Sequence, residues 1–261
     1  MIRILLMLCL ISILPTYASE KNANEKLTIA AASDLRYALD EVISLFHRHQ
    51  PDTDISVVYG SSGKISTQIR HGAPYDVFFS ADITFPTQLY NDGLTATAPQ
   101  PYALGHLVLW SPKQNMTGIA LGQLANMNFN RLAIAQPAHA PYGQRAKEAL
   151  QAVGVWSAVE AKLVYGENIA QTAQMAQSGG ADLAIIALSL AKFPELAKHG
   201  YQLIPAELHQ PLSQAYVITR HGASNRSAQQ FTAFMTNKDV LAIMQTYGFE
   251  LPVSARQGEQ E

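Results

Sequence analysis

The hydrophobic positions fall into short unbroken runs separated by stretches in which they recur every three or four residues. Residues 27–32 (LTIAAA) form one such run. Behind Ser33 and Asp34 the apolar positions become Leu35, Leu39, Val42, Ile43 and Phe46. The run predicts a buried strand and the spaced set predicts one face of a helix, with Ser33 where an N-cap belongs. The pattern recurs at 55–59 (ISVVY), which leads through Gly60-Ser61-Ser62-Gly63 into 64–70, where Ile65 and Ile69 mark a helical face. Runs at 77–80, 107–110, 132–135, 162–165, 183–187 and 216–219 continue the strand series. Helical spacing lies between several of them, at 144–153, 168–177 and 228–235. Short apolar runs alternating with amphipathic helices predict an α/β fold whose mostly parallel sheets are covered on both faces.

Two Pro-rich interruptions, 98–101 and 205–211, bracket the middle third of the chain, and a strand follows each. That arrangement predicts one lobe inserted into another, with the chain crossing twice. The first lobe is expected over 25–104 and 217–261, and the second over 105–216. The 261 residues suit two lobes, since single cores stop growing beyond roughly 250 residues.

The first segment reads as an address and not as fold. Met1-Ile2-Arg3 gives a positive start, 4–14 is apolar, and Pro15-Thr16-Tyr17-Ala18 places small residues before a cut after Ala18. This predicts a secretory signal over 1–18 and an exported mature chain. The run falls short of the roughly 20 apolar residues that span a bilayer. The one cysteine, Cys9, lies inside it, so the mature chain is expected to carry no thiol chemistry. Eighteen Lys and Arg against 20 Asp and Glu give a net charge of −2, which provides no basic field to hold nucleic acid or anionic lipid.

The chemistry is concentrated in the turns. Ser33, Ser61 and Ser62 follow strands, whereas Pro141-Tyr142-Gly143 and Glu167-Asn168-Ile169 stand just before helical patterns. Each turn offers the unsatisfied backbone N–H groups of a helix start, and it does so at the carboxyl end of a strand, where open α/β folds bind ligands. Converging, such turns would form a cleft rich in neutral donors and suited to a small, desolvated oxyanion. Blander readings compete. Ser33 can simply cap its helix, and Gly60-Ser61-Ser62-Gly63 can be only a tight turn.

Other chemistries fit less well. The turn is not a phosphate loop, because Val58 and Ile65 stand where glycine and Ser/Thr are needed. It is not a nucleophile elbow either, because Lys64 replaces the required glycine. Lys64 reads as a solvated first-turn side chain, and Asp76 and Asp82 as strand-end and turn caps. His47 and His49, two apart on a helix, point to different faces, and the other histidines lack metal-ligand spacing. A secreted serine hydrolase using Ser33 or Ser62 is the reading from a different class, with no paired base at suitable spacing.

Five segments together carry a family resemblance: Ala30-Ala31-Ala32-Ser33-Asp34-Leu35, Gly60-Ser61-Ser62-Gly63-Lys64, residues 72–82 (GAPYDVFFSAD), residues 137–143 (PAHAPYG) with 146–150 (AKEAL), and Gly166-Glu167-Asn168-Ile169. A sixth, Tyr247-Gly248-Phe249, closes the series. In this order the chain resembles the periplasmic molybdate-binding proteins of ABC transporters, a branch of the type II solute-binding proteins. The resemblance implies a two-lobed clamp with hinges near 107–110 and 215–219. It implies that Ser33 and Ser62 donate hydroxyl and backbone hydrogens to the oxyanion and that Tyr142 and Ile169 add backbone N–H groups. Asp34 and Ser61 are possible additions, with the Asp34 carboxylate turned away from the guest.

Some relatives add a tyrosine hydroxyl at the position of Ala187. Here that phenol is missing, and Tyr142 could restore it. The implied cargo is molybdate and tungstate, with molybdenum present only inside the oxyanion, and no cofactor and no bond chemistry are expected. The implied partner is an inner-membrane ABC permease, and the receptor is expected to be a monomer. A receptor for sulfate or another tetrahedral oxyanion is the alternative within the class.

Overall fold

The computed structural model describes residues 26–252. The expected signal segment 1–18, with Cys9, lies outside them. The chain opens with β1 (Lys26–Ala32), a 3₁₀ turn (Ser33–Leu35), α1 (Arg36–His49), β2 (Asp54–Gly60), α2 (Ser62–Arg70), β3 (Val77–Ser80), α3 (Thr84–Asn91) and β4 (Gln100–Gly105). After His106 come β5 (Leu107–Trp110), β6 (Leu132–Ala135), α4 (Pro141–Ala152), α5 (Trp156–Val159), β7 (Leu163–Gly166), α6 (Ile169–Gln177), β8 (Leu183–Ala187), α7 (Leu188–Ala191) and β9 (Gln202–Leu203). The described chain ends with β10 (Leu212–Ile218), α8 (Arg226–Phe234) and α9 (Lys238–Thr246).

Two five-stranded sheets result, ordered β2-β1-β3-β10-β4 and β7-β6-β8-β5-β9. In each, three strands pair in parallel, and a reversed strand, β10 or β5, pairs antiparallel with the third of them and with the edge strand, β4 or β9. The two-lobed α/β architecture is the expected one, and the antiparallel strands are those that carry the chain between lobes. Alternation along the central strands explains why the first sheet is covered twice. Leu27, Ile29, Ala31, Val77 and Phe79 enter the core under α1, α8 and α9, while Ala30 and Phe78 enter a second core with Ile65, Ile69 and Leu89 from α2 and α3. The second sheet has one continuous core in which Trp110 is buried and its Nε1–H donates to Leu196 O.

The return crossing corrects the expected boundary at 216/217. β10 lies wholly in the first sheet from Leu212 onward, so the chain leaves the second lobe in the Pro-containing segment before it. Ser213 and Gln214 interrupt the apolar run there and hide the strand's first half. β4 also emerges from what reads as a linker. Pro101 stands on this edge strand where the register with β10 shifts, a place at which a missing N–H breaks no ladder bond.

Ser33 is not the N-cap of α1. The helix proper starts at Arg36, and neither it nor the preceding 3₁₀ turn has a side-chain cap. The hydroxyl is thereby left for another use. By contrast, α6, α8 and α9 are capped by Asn168, Asn225 and Asn237. No described helix is long and apolar enough to cross a membrane.

Candidate oxyanion site between the lobes

Strand order reverses beside β1 and β3 in one sheet and beside β6 and β8 in the other, and ligands bind at such switch points outside the carboxyl strand ends. Here the two sets of strand ends meet. Between them lies a small cavity, about 180 Å³ of atom-free space including its mouth. All six residues proposed from the sequence line it: Ser33, Asp34, Ser61, Ser62, Tyr142 and Ile169. The rest of the wall is Ala32, Gly60, Ala81, Ala140 and Pro141, so no Lys, Arg or His belongs to the lining.

The hydroxyls are oriented by what they accept. Ser62 Oγ, fully buried, takes the backbone N–H of Ala81 at 3.0 Å, which leaves its own proton available to a guest. Ser33 Oγ takes the N–H of Ala170 at 3.2 Å and donates to Asn168 Oδ1 at 3.0 Å, so it reaches from the first lobe to the start of α6. Ser61 Oγ lies 2.9 Å from His139 Nδ1.

The second lobe supplies two helix starts. α4 opens on Pro141, whose fixed φ suits a first helical position, so the following N–H groups of Tyr142 and Gly143 begin the helix without intrahelical acceptors. Gly143 is required by close approach, since a Cβ there would lie 2.0 Å from Ala135 O. α6 opens on Ile169 behind the Asn168 cap, whose Oδ1 also accepts from Gln171 N. The lobes are drawn together by further contacts. Gly63 N donates to His139 O at 3.0 Å, and a Cβ on Gly63 would come within 2.6 Å of that oxygen. Lys64 pairs with Glu167, Arg145 with Asp82 at 2.8 Å, and the rings of Tyr37 and Phe193 stack at 3.6 Å. Lys64 is thus half-exposed but bridges the cleft, where a solvated side chain was the expectation.

Asp34 is the one carboxylate of the wall, and it is buried. Its Oδ2 accepts from Tyr142 Oη at 3.0 Å and from Gln214 Nε2 at 2.7 Å, while Oδ1 has no hydrogen-bond partner among the described residues. Ser189 Oγ donates to its backbone oxygen at 2.7 Å, and Tyr102 Oη donates to Gln214 Oε1. Burial lifts the Asp34 carboxyl from its ordinary 3.8 to about 6; the bonds from Gln214 and Tyr142 and the nearby backbone amides oppose that rise without cancelling it. The phenols of Tyr142 and Tyr102 are pushed well above their usual range, first by burial and then by the Asp34 charge.

The Tyr142 hydroxyl gives its proton to Asp34 Oδ2 and accepts from Gln214 Nε2 at 3.2 Å, so standing in for the phenol missing at Ala187 would require it to leave Asp34. The hydrolase reading does find a serine beside a histidine, but it is Ser61 and not Ser33 or Ser62, and among the described residues no carboxylate is bonded to the His139 ring. Asp76 and Asp82 act as caps, accepting from Thr28 N and Thr84 N. Neither tryptophan lines the cavity, so neither senses a guest directly. Sequence reasoning missed the supporting layer of Gln214, Ser189 and Tyr102, whose neighbours in the chain carry no motif, and gave no role to Arg145. Among the described residues no cluster of His, Cys, Asp and Glu could hold a metal ion. A larger groove, about 820 Å³ of atom-free space including its mouth, opens on the outer side of the interface between Arg36, Tyr37 and the amides of α6; it contains none of the serines.

The sequence pattern of bacterial extracellular solute-binding proteins matches residues 27–250. The molybdate-binding protein ModA of Azotobacter vinelandii is 33% identical over 230 residues, covering 87% of this chain and 90% of the relative. ModA of Rhodobacter capsulatus is 32% identical, with 84% and 86% covered. The solved periplasmic molybdate-binding protein of A. vinelandii superposes with a TM-score of 0.80 at 32% identity, covering 87% of this chain and 99% of that one.

Proposed function

The chain belongs to the bacterial extracellular solute-binding proteins, and from that premise we propose that it is a periplasmic receptor for molybdate, and for tungstate, that delivers its cargo to an ABC permease. The observation that carries the reading is the cavity itself. Hydroxyls from one lobe and helix-start N–H groups from the other line a single hollow that no cation enters. Hydrogen bonds to a charged acceptor contribute roughly 1.5 to 3 kcal/mol net each, so several together offset the dehydration of a doubly charged guest.

Ser33 and Ser62 bind through hydroxyl and backbone hydrogens, Tyr142 and Ile169 through backbone N–H, and Asp34 and Ser61 stand at the margin. The proton that Ser33 now gives to Asn168 turns to the guest. Donors fixed on rigid elements set a cavity radius, which selects by anion size, and a protonated oxyanion is disfavoured because its O–H would face a donor. The relatives named above are molybdate-binding proteins, which supports the choice of cargo. Capture involves no bond chemistry. Closure buries the anion and presents a surface that differs from the open form, which is what a permease reads.

Calorimetric titration of the mature protein with molybdate, tungstate, sulfate and phosphate tests the assignment. Saturable binding of molybdate and tungstate at one site, with sulfate and phosphate much weaker, is expected. Tight sulfate binding without molybdate would move the chain to the sulfate receptors. Turnover of chromogenic esters or phosphate esters would make it an enzyme.

A further inference from the structure

Asp34 sets an electrostatic problem that a bound dianion aggravates. Its carboxylate belongs to the wall of the cavity, is 1% exposed, and has no cation bonded to it. Oδ2 is fully engaged by Tyr142 and Gln214, whereas Oδ1 is buried with no hydrogen-bond partner among the described residues, only the Asp34 and Leu35 amides acting on the carboxylate from the backbone. A second negative group in the same hollow would leave two charges in contact with little water between them. Resting on the receptor assignment above, we propose that Asp34 takes up one proton from solvent as the oxyanion enters and returns it on release. The neutral carboxyl then presents Oδ1–H to the guest while Oδ2 keeps its two donors. Asp34 thereby becomes a switchable donor in the wall and a determinant of which anions the site accepts.

The surroundings supply no competing charge. The groups facing Asp34 are Tyr142 from α4, Tyr102 from β4 through Gln214 of β10, and Ser189 from α7, all neutral. α6 contains no charged residue and is capped by Asn168. Arg36, at the start of α1, lies over the Tyr59 ring at 5.2 Å, and Tyr37 stacks on Phe193. Lys192, beyond the end of α7, runs toward Gly248. Lys64, Glu167 and His139 stand around the α2 start, where Lys64 and Glu167 pair with each other. The free carboxyl, at about 6, already holds its proton more tightly than an ordinary aspartate, and a dianion beside it raises that affinity further.

The sign of the linkage follows. Affinity is greatest when Asp34 is already protonated and falls by up to tenfold per pH unit as pH rises above about 6, levelling off above the carboxyl's value in the loaded state. The test is calorimetry of the mature protein with sodium molybdate and sodium tungstate near pH 8, in two buffers of different ionisation enthalpy, with the dissociation constant followed from about pH 6 to 9. Uptake of close to one proton per anion is expected in the wild type. Asp34→Asn, whose amide mimics the neutral carboxyl, should take up none, lose the pH dependence and bind more tightly than wild type at the alkaline end. A merely structural Asp34 would instead give a weaker variant with the pH slope unchanged. Binding by the wild type without proton uptake overturns the proposal whatever the variant does, and leaves the receptor assignment standing. Absence of binding to either anion at every pH would overturn both.

Discussion

In the first lobe the strand order is β2-β1-β3-β10-β4 and in the second it is β7-β6-β8-β5-β9, so position by position the two sheets are built alike. What they bring to the cleft differs. The first lobe contributes side chains, namely the hydroxyls of Ser33, Ser61 and Ser62 and the carboxylate of Asp34, beside the backbone hydrogens of Ser33 and Ser62. The second contributes main chain, at the starts of α4 and α6, with Pro141 and Asn168 fixing where those helices begin. A shared frame thus delivers two kinds of donor. Side-chain donors can be removed by a single substitution, whereas main-chain donors survive almost any change except one that deletes the N–H itself. The first lobe also carries the only buried charge of the wall, and so bears an electrostatic penalty that the second does not.

The largest expected effect isolates that penalty. Asp34 holds its proton up to about pH 6 when folded and only to about 3.8 when unfolded, so the folded state binds more protons between those values and loses stability as pH rises through them. Above the window the penalty is on the order of 3 kcal/mol, taking 1.36 kcal/mol per pKa unit. Asp34→Asn should therefore unfold at higher urea than wild type at pH 8, with the gap closing as pH falls toward 4. A variant no more stable than wild type at pH 8 would mean that Asp34 carries no such penalty.

Next come the donors, one from each lobe. Ser62→Ala removes the O–H and should weaken molybdate binding by roughly 1.5 to 3 kcal/mol. It also strands the buried Ala81 N–H, at a further cost in stability of about 1 to 3 kcal/mol. The matching change in the second lobe is Ile169→Pro. Proline is tolerated at a first helical position, and Asn168, at φ −148° and ψ 175°, is already extended as a residue before proline should be. That variant keeps the helix and deletes the N–H while exchanging the buried isoleucine side chain for a proline ring, so, read beside Ile169→Val, its loss in affinity should be of the same order. Calorimetry on the pair compares the lobes directly; an unchanged Ile169→Pro would remove α6 from the site.

Much of this was legible in the sequence because the donors sit in turns between strong periodic segments. The β1, β3, β5, β6 and β8 runs are nearly all apolar; Ser33 and Asp34 follow β1 directly, Ser61 and Ser62 follow β2, and Tyr142 and Ile169 stand at the helix starts behind β6 and β7. Less legible was whatever tertiary contact decides. Behind Leu212, β10 continues with Ser213 and Gln214, and Gln214 is polar because it bonds Asp34 and Tyr102, so function broke the strand pattern in its first half. β4 contains a proline that only an edge position tolerates. Ser33 reads as a helix cap by residue type, and only the approach of Ala170 and Asn168 from 135 residues away redirects its hydroxyl. The exposed α3 and α9 have narrow apolar faces, with two buried residues each, which a periodicity search passes over.

A smaller effect concerns the contact that joins the lobes at the mouth. Lys64 and Glu167 are each about half-exposed, so their pair contributes at most about 1 kcal/mol and is screened by salt. Lys64→Gln should lower molybdate affinity no more than a few-fold at low ionic strength. The difference from wild type should vanish near 1 M salt, where the screening length is about 3 Å. A loss that persists in high salt would make Lys64 a ligand of the anion and end the account of a wall without cations.

The smallest effect is the sharpest test of the contrast between the lobes. Ile169 stands in the wall, is 4% exposed, and is assigned a role through its backbone alone. Shortening it to valine keeps the β-branched shape and the N–H and removes one buried methylene, which costs about 0.5 to 1.5 kcal/mol of stability. The donor does not move, because the Asn168 cap and the Ala170 contact with Ser33 hold the first turn of α6 from both sides. Ile169→Val should therefore melt earlier yet bind molybdate within about twofold of wild type, since a main-chain hydrogen bond is indifferent to the side chain beyond it. A tenfold loss from so slight a change would show that the second lobe grips its guest by side-chain packing, and that the division of labour between hydroxyls and helix starts is not the basis of the site.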